Sequence, residues 1–211
     1  MKCSKKIVSL ILCVCMLLSV AVVANADTIS TNGGAGTTPV SLTTTNDGLG
    51  DNGDGTGTTP AATALSVTVP TALPMAMAQD GTVTTATNCR ITNNSYGAVR
   101  VRSATITAAE DWSLTAYGDK ATLAAEKVDS NKLGFALTIG GGAQKVTDSS
   151  NAAIQALFSS AIPGCYMTGV GNSNANFVSV IYDAIVTPLS SPVTAATIAN
   201  VVFVVEWDTA A

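Results

Sequence analysis

The chain has no histidine. Imidazole is the usual general base, the proton carrier of Ser-His-Asp and Cys-His nucleophile systems, and a common zinc ligand, so its absence removes those chemistries together. Charged residues make up only 11% and aromatics 5% of the 211 residues. Phosphate-binding loops are missing too, because Gly140-Gly141-Gly142 is not followed by Lys-Ser or Lys-Thr and no good helix lies behind it. No clustered basic face is present for nucleic acid. After the first two dozen residues, no apolar run is long enough to span a membrane.

What is present begins with a secretory signature. Lys2, Lys5 and Lys6 precede an apolar run from Ile7 to Val23, and Ala24-Asn25-Ala26 closes it with small residues where a signal peptidase cuts. The run is shorter than the roughly 20 residues of a spanning helix. Residues 1–26 are therefore expected to be a cleaved signal peptide, with the mature chain starting at Asp27. Leu12 and Val14 before Cys13 and Cys15 are bulkier than a lipoprotein signal usually carries. Three of the ten Lys and Arg go with the signal, leaving seven against fourteen acids and a mature charge of −7. Three of the five cysteines also go. Cys89 and Cys165 remain, and outside the cell they can pair as a disulfide or serve as small buried hydrophobes.

Residues 27–63 are Thr, Gly, Asn and Asp with little to bury, and read as a flexible leader. The segment Asp47 to Gly57 has the look of a calcium loop, but the twelfth position counted from Asn52 is Thr63 and the glutamate of an EF-hand is missing. Thr37 to Thr45 differs from its surroundings in strand propensity, with Thr38, Val40 and Leu42 alternating along one side. Such a segment can add itself as a strand to a neighbouring molecule.

From residue 64 the composition is that of a globular domain. Leu65 to Val69 reads as a strand closed by Pro70, and Leu73 to Ala78 as another leading into an Asp80-Gly81 turn. Asn88 to Thr107 reads as a hairpin, with Asn93-Asn94-Ser95-Tyr96-Gly97 as its turn and Arg90, Arg100 and Arg102 on a wet face. Asn93-Asn94-Ser95 is also an N-glycosylation sequon, expected to be accessible there. Two short helices are predicted, a weak one over Ala121 to Val128 and a better one over Ser150 to Phe158. Phe177 to Val186 and Ile198 to Trp207 are nearly continuous apolar runs, the pattern of central strands covered on both sides. Short strands with frequent turns and few helices predict a mainly β fold, a β-sandwich of Ig-like or jelly-roll-like kind over 64–211, with a barrel second.

Carboxylate pairs are the remaining catalytic option. Glu110 and Asp111 are adjacent and point to opposite faces if in a strand, whereas Glu206 and Asp208 are spaced to share one face. Arg90 beside Cys89 could lower a thiol pKa, but no histidine partner exists.

Trp112-Ser113-Leu114, with the signal, the Thr-rich leader, Val67-Thr68-Val69-Pro70 and the late Trp207, resembles the WxL surface proteins of Gram-positive bacteria. Asp208-Thr209 stands where a second x-Leu would follow Trp207. Val67 to Leu114 also looks like the β-sandwich modules of secreted surface and fibre proteins of the TasA and camelysin group. The resemblance implies a cell-surface protein, with noncovalent peptidoglycan association through motifs such as Trp112 and Leu114 in the WxL case. The expected function is a non-enzymatic extracellular structural protein, a filament or surface-layer subunit whose partners are itself, other surface components or peptidoglycan. The alternatives are a peptidoglycan- or carbohydrate-binding module and a secreted hydrolase using two carboxylates. No cofactor, metal or nucleic-acid partner is expected. Trp207 to Ala211 holds no Leu-Pro-x-Thr-Gly signal, so sortase attachment is not expected.

Overall fold

A computed structural model of the protein describes residues 26–43, 65–172 and 175–209. Its first eight strands are β1 (Ala26–Ile29), β2 (Ala35–Thr43), β3 (Val67–Pro70), β4 (Leu73–Met77), β5 (Val83–Thr85), β6 (Arg90–Asn93), β7 (Val99–Ala108) and β8 (Ser113–Thr115). One short helix, α1 (Lys120–Ala124), precedes β9 (Lys132–Ile139), β10 (Lys145–Val146), β11 (Ile154–Phe158), β12 (Tyr166–Met167), β13 (Phe177–Val186) and β14 (Ala196–Trp207). They form two seven-stranded sheets: β1-β3-β6-β13-β9-β10 with β8 beside β9, and β11-β7-β14-β2-β4-β5 with β12 beside β7. The fold is a β-sandwich, as the strand pattern predicted.

The core lies between the sheets. Ile91 and Val180 from the first sheet and Val101, Ile106, Val201 and Phe203 from the second are fully buried. Phe135 stacks on Tyr182 with ring centroids 6.2 Å apart. The Tyr182 hydroxyl donates to the Pro74 carbonyl and accepts from the Ala86 N–H, so the phenol is buried with its polar end satisfied. The outer faces stay open. Along β13 the exposed Phe177 and Ile181 alternate with the buried Val178, Val180 and Tyr182, and along β14 Val202 and Val204 are half-buried. These central strands are covered on one face, not on both as the apolar runs suggested.

Other expectations change as well. Asn88 to Thr107 is not a hairpin: β6 pairs with β3 and β13 in one sheet, while β7 pairs with β11, β12 and β14 in the other. The turn chemistry is spent on a buried corner between sheets. Asn93 Nδ2 donates to the carbonyls of Gly97 and Thr168, and the Ser95 hydroxyl is bonded to both backbone groups of Ser66. Asn93, Asn94 and Ser95 are buried, so the sequon is not accessible. The helix expected over Ser150 to Phe158 is the strand β11. Asn151 Oδ1 caps the N–H groups of Ala153 and Ile154, Gln155 turns inward onto Asp148 and Asn151, and the ladder to β7 overrides the helical stripe. The weaker helix forms as α1, capped by Asp119, and stops at Ala124.

Finally, the first half of the leader is part of the fold. Ala26–Ile29 and Ala35–Thr43 are strands, one in each sheet. They are ordered because ladders are available on both sheets, which composition alone does not reveal. Residues 1–25 and 44–64, with all of the expected signal peptide but Ala26 and with the calcium-like segment, lie outside the described residues.

Candidate functional site

The feature that most sets this sandwich apart is the slot that holds β2. It runs antiparallel to β14 along one side, from Ala35 opposite Val204 to Leu42 opposite Ala196. On its other side it runs parallel to β4, with Val40 opposite Leu73 and Thr43 opposite Ala76. An interior strand of the second sheet is thus supplied by the amino-terminal segment. Val40 is fully buried in the slot, and Thr38, equally buried, donates its hydroxyl to the Pro70 carbonyl of β3 across the sandwich. Leu42 continues the same register, opposite Met75 of β4. All three residues singled out for strand addition therefore sit in one strand, in this chain's own sheet.

Two details fit the segment to the slot. Gly36 lies where a Cβ would come 2.7 Å from Val69 Cγ2 and 3.1 Å from Ile29 Cδ1, so only glycine passes between the sheets there. Pro39 puts a residue without an N–H into an interior strand, where proline is normally avoided, and so removes a donor from the ladder. β1 accompanies β2 by pairing antiparallel with β3, from Ala26 opposite Pro70 to Ile29 opposite Val67. The turn between them is tied to the end of β14: Gly33 N–H donates to the Val205 carbonyl and Asn32 Oδ1 accepts from the Trp207 N–H at 2.8 Å.

The other candidates are dispersed. Leu114 is buried in β8 and Trp112 packs against the core, so both contribute to packing at one end of the sandwich. Cys89 precedes β6 and Cys165 precedes β12 on the opposite sheet; both are buried and neither is in a disulfide. Burial pushes the Cys165 thiol up. Glu206 is ion-paired, with Arg100 Nε at 2.8 Å and Arg102 Nε at 3.8 Å, and Asp208 lies 3.6 Å from Arg100. Glu110 and Asp111 are exposed in the turn after β7, where Asp111 adopts a φ of 64°.

Sequence reading did not find a cleft of about 550 Å³ between α1, the turn after β4 and residues 186–192. Met77, Val186, Pro188 and Leu189 give it an apolar floor. Lys120 closes one side, its Nζ donating to Thr82 Oγ1 at 3.0 Å and to the Asp80 carbonyl at 3.3 Å. Asp80 is the one carboxylate in the lining, and the Thr82 N–H holds it below the ordinary aspartate value. A two-carboxylate hydrolase needs a second acid facing it. Among the described residues no three His, Cys, Asp or Glu side chains gather as a metal site, and no helix is long and apolar enough to cross a membrane.

No family of proteins, no curated protein and no solved structure matches this chain.

Proposed function

We propose that this protein is a non-enzymatic extracellular structural subunit of a bacterial cell surface, polymerising by donation of its amino-terminal strands to the next copy. The observation that carries the reading is the position of β2: an interior strand supplied from outside the 65–209 body. The secretory signature, the lack of histidine and the low charge density of the sequence support the same reading.

Topology makes exchange feasible. β2 enters its sheet at the Trp207 end of the sandwich and leaves at the opposite end, where Thr43 and Ala196 lie. The chain resumes at Leu65, back at the Trp207 end, where Ser66 bonds to Ser95. Within one copy, Thr43 and Leu65 are therefore separated by the length of the sheet. Between copies stacked end to end, Leu65 of one copy is next to the place where Thr43 leaves the other, and the connection only crosses the junction. Removing β2 bares the facing edges of β14 and β4, and a bare edge recruits another strand.

The test compares the chain from Asp27 with one starting at Ala64, by size-exclusion chromatography and negative-stain microscopy. Polymers are expected from the longer form only, and a peptide spanning residues 27–43 added to the shorter form should bind it as a compact one-to-one complex. A longer form that stays monomeric at all concentrations would rule out strand donation.

A further inference from the structure

The two ends of the sandwich differ in chemistry. At the end where β7 starts and β14 finishes are Arg100 and Arg102, set against Glu206 and Asp208, and toward the same end of the other sheet is Arg90 on β6, opposite Ser179. The exposed aromatics gather there too: Tyr96 at 68% exposure, Tyr166 at 48% and Phe177 at 41%. Arg90 lies over the Phe177 ring at 5.1 Å. The opposite end carries Asp80, Glu110, Asp111 and Asp119, and on neighbouring loops Glu126, Asp129 and Asp148, against Lys120, Lys127 and Lys132. Glu126 and Lys132 neutralise each other at 2.7 Å.

We propose that the arginine and tyrosine end of one copy docks head to tail on the acidic end of a second copy. This inference rests on the subunit reading above and names the surface that brings donor and acceptor together. Arginine and aromatic side chains are what interface centres are enriched in, and the facing end supplies opposite charge. Tyr96, the most exposed aromatic, stands on the loop between β6 and β7. The cleft beside Asp80 has the apolar floor and polar rim that a tyrosine tip fits. The two surfaces lie at opposite ends of one molecule, so the contact is heterologous and does not close on itself; it generates an open polymer. The same stacking sets Leu65 of one copy against the exit of β2 in the next.

The test follows polymer growth by light scattering for the chain from Asp27, beside two surface variants. Tyr96→Ala with Arg102→Glu disables one end, and Glu110→Lys with Asp111→Asn the other. Each is expected to slow growth about tenfold or more, as is raising salt from about 50 to about 500 mM. Each variant keeps one live end, so an equimolar mixture should form dimers faster than either variant alone. Arg102→Gln alone, which removes charge without reversing it, should give an intermediate rate. Melting temperatures matching the parent show that the variants fold. Polymers that grow at the parental rate in both variants and at both salt concentrations overturn the docking while leaving strand donation standing. A parent chain that never polymerises overturns both.

Discussion

Thr38 is a polar side chain fully buried between two sheets, tolerated because its hydroxyl is bonded to the Pro70 carbonyl. Thr38→Val keeps the shape and removes the donor to that carbonyl. The expected cost is about 1 to 3 kcal/mol, read from the urea midpoint at unchanged slope; a change under about 0.5 kcal/mol would show that the bond contributes little. Tyr117 offers a second test. Its hydroxyl donates to Asp183 Oδ2 at 2.7 Å, and this bond, aided by partial burial, pushes the phenol pKa up to about 12. A raised native pKa favours the neutral phenol, so its contribution is complete below pH 10, the ordinary tyrosine value, and is lost as pH rises toward 12. Tyr117→Phe should be less stable at neutral pH and show a shallower alkaline decline across that window, measured by chemical denaturation at several pH values. At this scale the sequence was informative about alternation, and Thr38, Val40 and Leu42 were legible as one strand. Their partners were not, since Val201, Pro70 and Met75 are close only in the folded chain.

β2 is the element on which the account turns. It is interior, yet it carries Pro39 and reaches the rest of the domain only through residues 44–64. Its amides are expected to exchange with solvent faster than those of β14, through an opening that leaves the remaining strands protected. Native-state hydrogen exchange checks this, and β2 amides protected to the same degree as Phe203 and Val205 would contradict it. Element identity was legible where the apolar runs were long, as in β13 and β14, although their one-sided burial was not. It was misread where a short apolar stripe fitted both periods. Ile154, Leu157 and Phe158 lie on one helical stripe, but β7 was available as a partner and a ladder formed instead. The Asn93 to Gly97 corner was misread for a related reason: turn residues mark a reversal without saying whether the chain stays in its sheet.

At the scale of the molecule, fold class followed from strand density, and the slot did not. A leader poor in apolar residues reads as unfolded unless a sheet lacks a strand of matching length, and that is visible only when both sheets are assembled. The charge polarity was hidden for the same reason, because its members are scattered along the chain and meet only at the two ends. The measurement that bears most directly on strand donation uses the outer-face pair Thr37 and Val202, which stand directly opposite each other on β2 and β14. Thr37→Cys with Val202→Cys joins β2 to its own sheet, and Cys89 and Cys165 are buried away from the new bond. The account predicts that the oxidised double variant stays monomeric under conditions in which the parent polymerises, and that adding reductant releases polymer growth. Oxidised protein that polymerises as readily as the parent would contradict it.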